Sequence, residues 1–268
     1  MASLFDSHCH LDSKEFSANP GAVLERARAA GVEFLVNIQS EFGAAGAKKA
    51  LSFAKKHDNV WSTVGVHPHD AAKVSEDELR AMADVARANR DKVIAWGEIG
   101  LDYFYEHSAK DAQIDVFRRQ IEIALDLDLP ISLHVRDAGL DLMVVLRDEK
   151  VRAGDALRGV WHCFTDEADR ALEAVDLGFV ISIPGIVTFP KGENIREAVA
   201  ALPLEHLIVE TDSPYLAPVP YRGKTNEPAY VVETVKKIAE IKKLSYDEVA
   251  AATTANARRA YELDRDRD

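Results

Sequence analysis

The feature that most constrains this chain is its rhythm. Short strand-like runs and helix-like runs alternate from one end to the other, eight times over. The strand-like runs begin with Leu4-Phe5 and continue with residues 33–38, 60–66, 92–96, 130–133, 159–161, 179–183 and 206–210. Helical patterns follow them. The stretch 111–127 places Ile114, Phe117, Ile121, Ala124 and Leu125 along one stripe, the period of an amphipathic helix. Ser75 with Glu78 reads as an N-cap closed by a capping box. Two helices, about 229–242 and 245–261, end the chain. Eight such units over 268 residues predict a single α/β domain, a (β/α)8 TIM barrel. The competing arrangement is a doubly wound open sheet, but no glycine-rich phosphate fingerprint follows the first strand. We expect the barrel to occupy residues 1–263. The mixed-charge run 264–268 reads as a frayed C-terminal tail.

Composition narrows the function classes. No apolar run reaches the roughly 18 residues that a membrane span requires, so no membrane role is expected. The start, Met1-Ala2-Ser3-Leu4-Phe5-Asp6, lacks a basic region and meets an acid too early for a signal peptide. The two cysteines, Cys9 and Cys163, each adjoin a histidine. They suggest a reducing, cytoplasmic setting rather than a disulfide scaffold. A net charge of −12 excludes a broad basic surface for nucleic acid. An anionic substrate would have to be held locally, by metal ions and a few cationic side chains.

In such a barrel the chemistry sits at the C-terminal ends of the strands. The first strand ends in His8 and His10, which share a face if side chains alternate, while Cys9 points away. On the same alternation Asp6 is a support one step deeper. The third ends in His67-Pro68-His69 and the fourth in Glu98 and Asp102. The fifth ends in His134 and Arg136, the sixth in His162, and the eighth in Glu210-Thr211-Asp212. His206 falls at a strand start and so at the opposite rim; His57 and His107 read as surface residues. Six strands thus deliver imidazoles or carboxylates to one rim. That is too many ligands for one tetrahedral zinc. It fits two divalent ions about 3.5–4 Å apart sharing one carboxylate, drawn from Zn, Mn, Mg, Co or Ni. Glu98, midway round the barrel, is the expected bridge. His8, His10 and Asp212 would hold one ion with it, and His134 with His162 the other.

Taken together these segments resemble the TatD family of metal-dependent deoxyribonucleases in the amidohydrolase superfamily. The resemblance rests on Asp6-x-His8-x-His10, Gly65-x-His67-Pro68, Gly97-Glu98-Ile99-Gly100-Leu101-Asp102, His134-x-Arg136 and His162-Cys163-Phe164. It continues through Glu210-Thr211-Asp212-Ser213-Pro214-Tyr215-Leu216 and Pro220–Pro228, and so spans about residues 4–261. It implies a divalent metal site on His8, His10, Glu98, His134, His162 and Asp212, and phosphodiester hydrolysis. One departure is Asp166-Glu167-Ala168, where the family usually carries Gly-Ser; these acids read as the cap of the next helix.

The expected activity is hydrolysis of DNA ends, the 3′–5′ polarity resting on the resemblance alone, with RNA open as a second substrate and no obligatory protein partner. Asp212 is the expected proton acceptor from water, and Glu98 and His67 complete the catalytic group, His67 orienting substrate. Arg136, Arg222 and Lys224 would hold phosphate, and Tyr103, with Phe104 and Tyr105, would stack an exposed base. The alternatives are an amidohydrolase acting on a small amide, lactone, phosphotriester or aminoacyl ester, and a non-catalytic metal-binding barrel. Many relatives of the first kind use a carbamylated lysine as the bridge, and no lysine ends the fourth strand. Loss of a ligand would mark the second, and the set is complete.

Overall fold

The computed structural model describes residues 3–265. Eight parallel strands form one sheet in sequence order, β1 (Leu4–Cys9), β2 (Val32–Asn37), β3 (Val60–Val64), β4 (Val93–Asp102), β5 (Ile131–Arg136), β6 (Gly159–Trp161), β7 (Phe179–Ile183) and β8 (Leu207–Val209). The ring closes just past β8. His10 donates from its amide to Ser213 O (2.8 Å), and Asp212 donates to His8 O (2.9 Å). Below them the Asp6 carboxylate accepts from the Thr211 amide (2.9 Å) and hydroxyl (2.6 Å). The result is a (β/α)8 barrel, wrapped by α1 (Pro20–Ala29), α2 (Gly43–Ala54), α3 (Glu76–Arg87), α4 (Lys110–Asp126), α5 (Gly139–Ala153), α6 (Ala168–Asp176), α7 (Glu193–Ala201), α8 (Val231–Lys242) and α9 (Tyr246–Ala260). No helix among the described residues is long and apolar enough to cross a membrane.

Two apolar cores result. The larger lies between strands and helices, and Cys9 belongs to it. The smaller gathers Phe5, Val36, Ile94, Val160 and Ile208, with Phe34, Trp61 and Val180 against them. Residues from so many strands can meet only inside the ring, so this cluster is the barrel floor. Tyr261, at the end of α9, plugs it: its ring stacks 6.2 Å from Phe5, and its hydroxyl donates to Ser7 O at 3.0 Å.

Several local expectations are revised. Ser75 caps α3, accepting from the Glu78 amide, but Glu78 leaves the capping box to accept from the Ala44 amide at the start of α2 (2.5 Å). The complete box is at Ser245 and Glu248. Asp166 and Glu167 do not cap α6 with a side chain; Asp166 is instead paired with Arg170 one turn on. In the expected tail, Asp264 pairs with Arg258, and Arg265 reaches Asp128 at 2.9 Å, so these two are anchored by charge. Residues 266–268 lie outside the described residues.

Tyr261→Phe removes the donor to a buried carbonyl and keeps the ring. The expected loss is about 1–3 kcal/mol of unfolding free energy, read by chemical denaturation; an unchanged midpoint would show that this bond contributes nothing to the floor.

Candidate metal centre

The rim is built around one carboxylate. β4 is longer than its sequence pattern suggests, running through Glu98 to Asp102. Its register against β5 slips between Gly97 and Ile99. Strict alternation would put Glu98 on the outward face of Trp96, whose indole donates to Gln120 on α4 (3.1 Å). The slip is a bulge, which re-aims a side chain, and it turns Glu98 into the barrel. Gly97 permits this, since a Cβ there would stand 2.6 Å from Ser132 O on β5.

The two oxygens of Glu98 divide the surrounding imidazoles. Oε2 faces His8 Nε2 at 3.5 Å. Oε1 faces His134 Nδ1 at 2.6 Å and His162 Nε2 at 2.9 Å. On the first side His10 Nε2 lies 3.3 Å from Asp212 Oδ1, and His8 Nε2 lies 3.8 Å from the same oxygen. The His8 and His162 rings stack across the centre at 3.7 Å. Asp212 holds its place with a left-handed backbone (φ 55°), a conformation that Asp tolerates better than most residues.

Outer carboxylates orient the rings. Asp102 Oδ2 lies 3.2 Å from His134 Nε2 and 2.8 Å from His69 Nε2. With Nε2 turned to Asp102, Nδ1 of His134 is the ring nitrogen that faces the centre, 2.6 Å from Glu98 Oε1. Glu210 lies 3.3 Å from His162 Nδ1 and accepts from the Cys163 amide at 2.7 Å. Glu210 shares the face of Asp212 two residues on, the strand period that could have shown it in the sequence. His67 stands apart. Its Nδ1 accepts from the His69 amide (3.2 Å), so its neutral ring carries the proton on Nε2, 3.6 Å from Glu98 Oε1. His67 is thus a donor beside the centre, although it also falls within a group of donor atoms with Glu98 and His134.

The donor set fits a metal. His8 Nδ1 and Nε2 are buried without a hydrogen-bond partner, which native interiors rarely tolerate. Imidazole and carboxylate donors suit first-row divalent ions. His8, His10 and Asp212 would hold one ion with Glu98 Oε2, and His134 and His162 a second with Glu98 Oε1. Burial opposes charge on His134 and His162, yet Asp102 and Glu98 raise the first above its usual value, and Glu98 with Glu210 raises the second well above it. Burial pushes Glu98 up, but His162 and hydrogen bonds from His134 and His162 hold its carboxyl well below the ordinary range. Burial pushes His67 well down and keeps it neutral.

The remaining expected contacts separate. Arg136 borders the same cleft, its guanidinium 3.9 Å over the Phe104 ring. Tyr103 turns away: its hydroxyl donates to Asp141 (2.9 Å) and it lines a smaller neighbouring cavity of about 480 Å³. Arg222 packs 3.8 Å over Phe189 and donates to Ala217 O, while Lys224 lies 5.9 Å over Tyr221. Neither borders the cleft; Phe189 on the loop after β7 holds Arg222, and Ala217 O and the Tyr221 ring on the long loop after β8 complete the local contacts. Lys14 and Lys56 border it instead.

The TatD related DNase family model matches residues 5–262. An uncharacterized metal-dependent hydrolase of Bacillus subtilis, YabD, is 38% identical over 97% of this chain and 99% of its own length. The 3′-5′ ssDNA/RNA exonuclease TatD of Salmonella typhimurium is 36% identical over 97% of this chain and 99% of its own. The crystal structure of YjjV, a TatD homologue from Escherichia coli, superposes with a TM-score of 0.88 at 30% identity, covering 97% of this chain and 98% of that one.

Imidazole binds a metal only in its deprotonated form, and the neighbouring carboxylates raise the basicity of His134 and His162, so protons compete with a metal for these rings. Binding of Zn²⁺ or Mn²⁺ to chelator-treated protein is therefore expected to release protons. Its affinity should fall as pH drops from about 8 to about 6, read by calorimetry in buffers of different ionisation enthalpy. Heats independent of the buffer would contradict the assignment. Asp102→Asn should weaken metal affinity about 10- to 100-fold, measured in the same titration, with the fold intact by circular dichroism.

Proposed function

The chain belongs to the TatD family of metal-dependent hydrolases, and from that premise we propose that it hydrolyses phosphodiester bonds at the ends of single-stranded DNA, proceeding 3′ to 5′, and accepts RNA by the same route. One observation carries the reading: Glu98 presents one oxygen to each of two nitrogen groups, the arrangement that two-ion phosphodiester chemistry uses. Two divalent ions held there would polarise the phosphoryl oxygens and lower the pKa of water.

The side chains supply the rest. Asp212, its carboxyl pulled down by His10 and His8 against the effect of burial, is ionised and accepts the proton of the attacking water. Water oxygen adds to phosphorus, the bond to the leaving sugar oxygen breaks, and that oxygen takes up a proton from bulk water to leave as a hydroxyl. His67 offers its Nε2 proton to a phosphoryl oxygen. Arg136 has no carboxylate partner among the described residues, so its donors are free for a second phosphate oxygen. Its ring neighbours hold the guanidinium in place before substrate arrives. The two cysteines are unpaired, in keeping with a cytoplasmic setting.

Glu98→Ala is expected to stay folded and to lose hydrolysis by two orders of magnitude or more, roughly the scale of losing a charge-stabilising group at a reacting centre. An end-labelled single-stranded oligonucleotide should shorten stepwise from its 3′ end in the wild type with Mg²⁺, Mn²⁺ or Zn²⁺. A single internal cut would make the enzyme an endonuclease. Hydrolysis of cyclic amides or phosphotriesters in place of any oligonucleotide would move it to the amidohydrolase chemistry.

A further inference from the structure

Four aromatic side chains among the described residues are strongly exposed, namely Phe42, Phe104, Tyr105 and Tyr215. Three of them stand at the rim just described. Tyr215 is 56% exposed on the loop after β8, three residues past Asp212, with its ring edge-on to His10 at 5.9 Å. Phe104 and Tyr105 are 54% and 50% exposed on the loop after β4. Their amides both donate to Asp102 Oδ1 at 3.0 Å, which ties them to the strand that carries Glu98. Arg136 lies 3.9 Å over Phe104 and 4.7 Å over Tyr105. His107 stacks parallel to Tyr105 at 5.7 Å.

Topology sets where these groups stand. β4 and β8 are four strands apart in a ring of eight, so their loops lie on opposite sides of the barrel mouth. The Glu98 cluster sits between them. Tyr105, Arg136 and Tyr215 border one cavity of about 1410 Å³, larger than the roughly 300–1,000 Å³ that encloses one small ligand. Rings fixed by hydrogen bonds and a guanidinium, half in water, on both sides of a polar centre, match a substrate that brings a flat apolar face to each side.

We infer, on the phosphodiesterase reading above, that Tyr215 and the Phe104–Tyr105–Arg136 group are two stacking jaws, one for each nucleobase flanking the scissile phosphate. Every base has a π face, so such jaws tolerate any sequence, and an arginine plane stacks as a ring does. They require bases free of a duplex, which selects single strands and frayed ends. Tyr103, bonded to Asp141, is not one of them.

The test uses three oligonucleotides of one length and the Mg²⁺-, Mn²⁺- or Zn²⁺-loaded enzyme. One oligonucleotide is intact, one lacks the 3′-terminal base, and one lacks the base before it. Stacking contributes about 5- to 150-fold per base, so the wild type should disfavour each abasic substrate by a factor in that range, through KM more than kcat. Tyr215→Ala should abolish the penalty at one of the two positions, and Tyr105→Ala at the other. Tyr215→Phe and Tyr105→Phe, which keep the rings, should restore both penalties. If the alanine variants keep both penalties, or both act on the same position, the opposed jaws are refuted while the nuclease reading stands. If the wild type cuts none of the three oligonucleotides under any of the ions, the nuclease reading fails and the jaws with it.

Discussion

The structure depends on placing one carboxylate, Glu98, inside a barrel among four imidazoles. A buried ionised group is costly unless charged or hydrogen-bonded partners surround it. The strand that delivers it must slip in register to aim it inward, and Gly97 must lack a side chain for β5 to pass. The imidazoles must in turn be held, which is the work of Asp102 behind His134 and Glu210 behind His162. Removing any one member leaves a buried charge or a buried donor without its partner. The centre is therefore a cooperative unit, more tightly specified than the individual strand ends would be.

Barrel closure serves the same unit. His8 and His10 come from the first strand and Asp212 from just after the last, so they meet only if the ring shuts. Shutting it relies on main-chain bonds between residues 8–10 and 212–213 and on Asp6 bonded to Thr211 beneath them. Burial raises the Asp6 carboxyl to about 8 despite the donors from Thr211. That position is intolerant of a free charge and works as a seam. Tyr261 holds the other end of the same strand by stacking on Phe5, and its hydroxyl bonds Ser7 O next to the seam. The first strand is thus fixed at its floor, its seam and its rim, and the two histidines inherit that rigidity.

Much of this was legible in the residues because periodicity and strand ends are local properties. The alternation of elements gave the barrel, and the histidines at strand ends marked the rim. Alternation correctly separated Cys9, whose thiol turns outward to Val36 O, from His8 and His10. What escaped depends on contacts between distant segments. No local pattern reveals that Glu78 would desert Ser75 for the start of α2, or that Arg222 would lie flat on Phe189. The bulge at Glu98 is of the same kind, since it exists only relative to β5. Glu210 was passed over for a different reason. Its neighbour Asp212 satisfies the ligand pattern, and only the three-dimensional ring shows that the carboxylate two residues earlier reaches the back of His162.

The remaining tension is electrostatic. A chain of net charge −12, with Glu98, Asp102, Glu210 and Asp212 gathered at its catalytic mouth, opposes the approach of a polyanion. The same carboxylates raise the basicity of His134 and His162, so protons compete for the atoms where ligands are needed. Divalent ions held there would resolve the conflict, because they would put larger charges at the same atoms. The outer carboxylates then have a second consequence. They keep the imidazoles basic enough to hold cations in a rim that carries few lysines and arginines. An acidic protein can in this way present a cationic spot at a single point, and the free guanidinium of Arg136 and the exposed rings beside it stand where that spot meets the substrate. On the proposed phosphodiesterase reading, affinity would be concentrated at this one point, and the acidic surface at large would have little attraction for a polyanion.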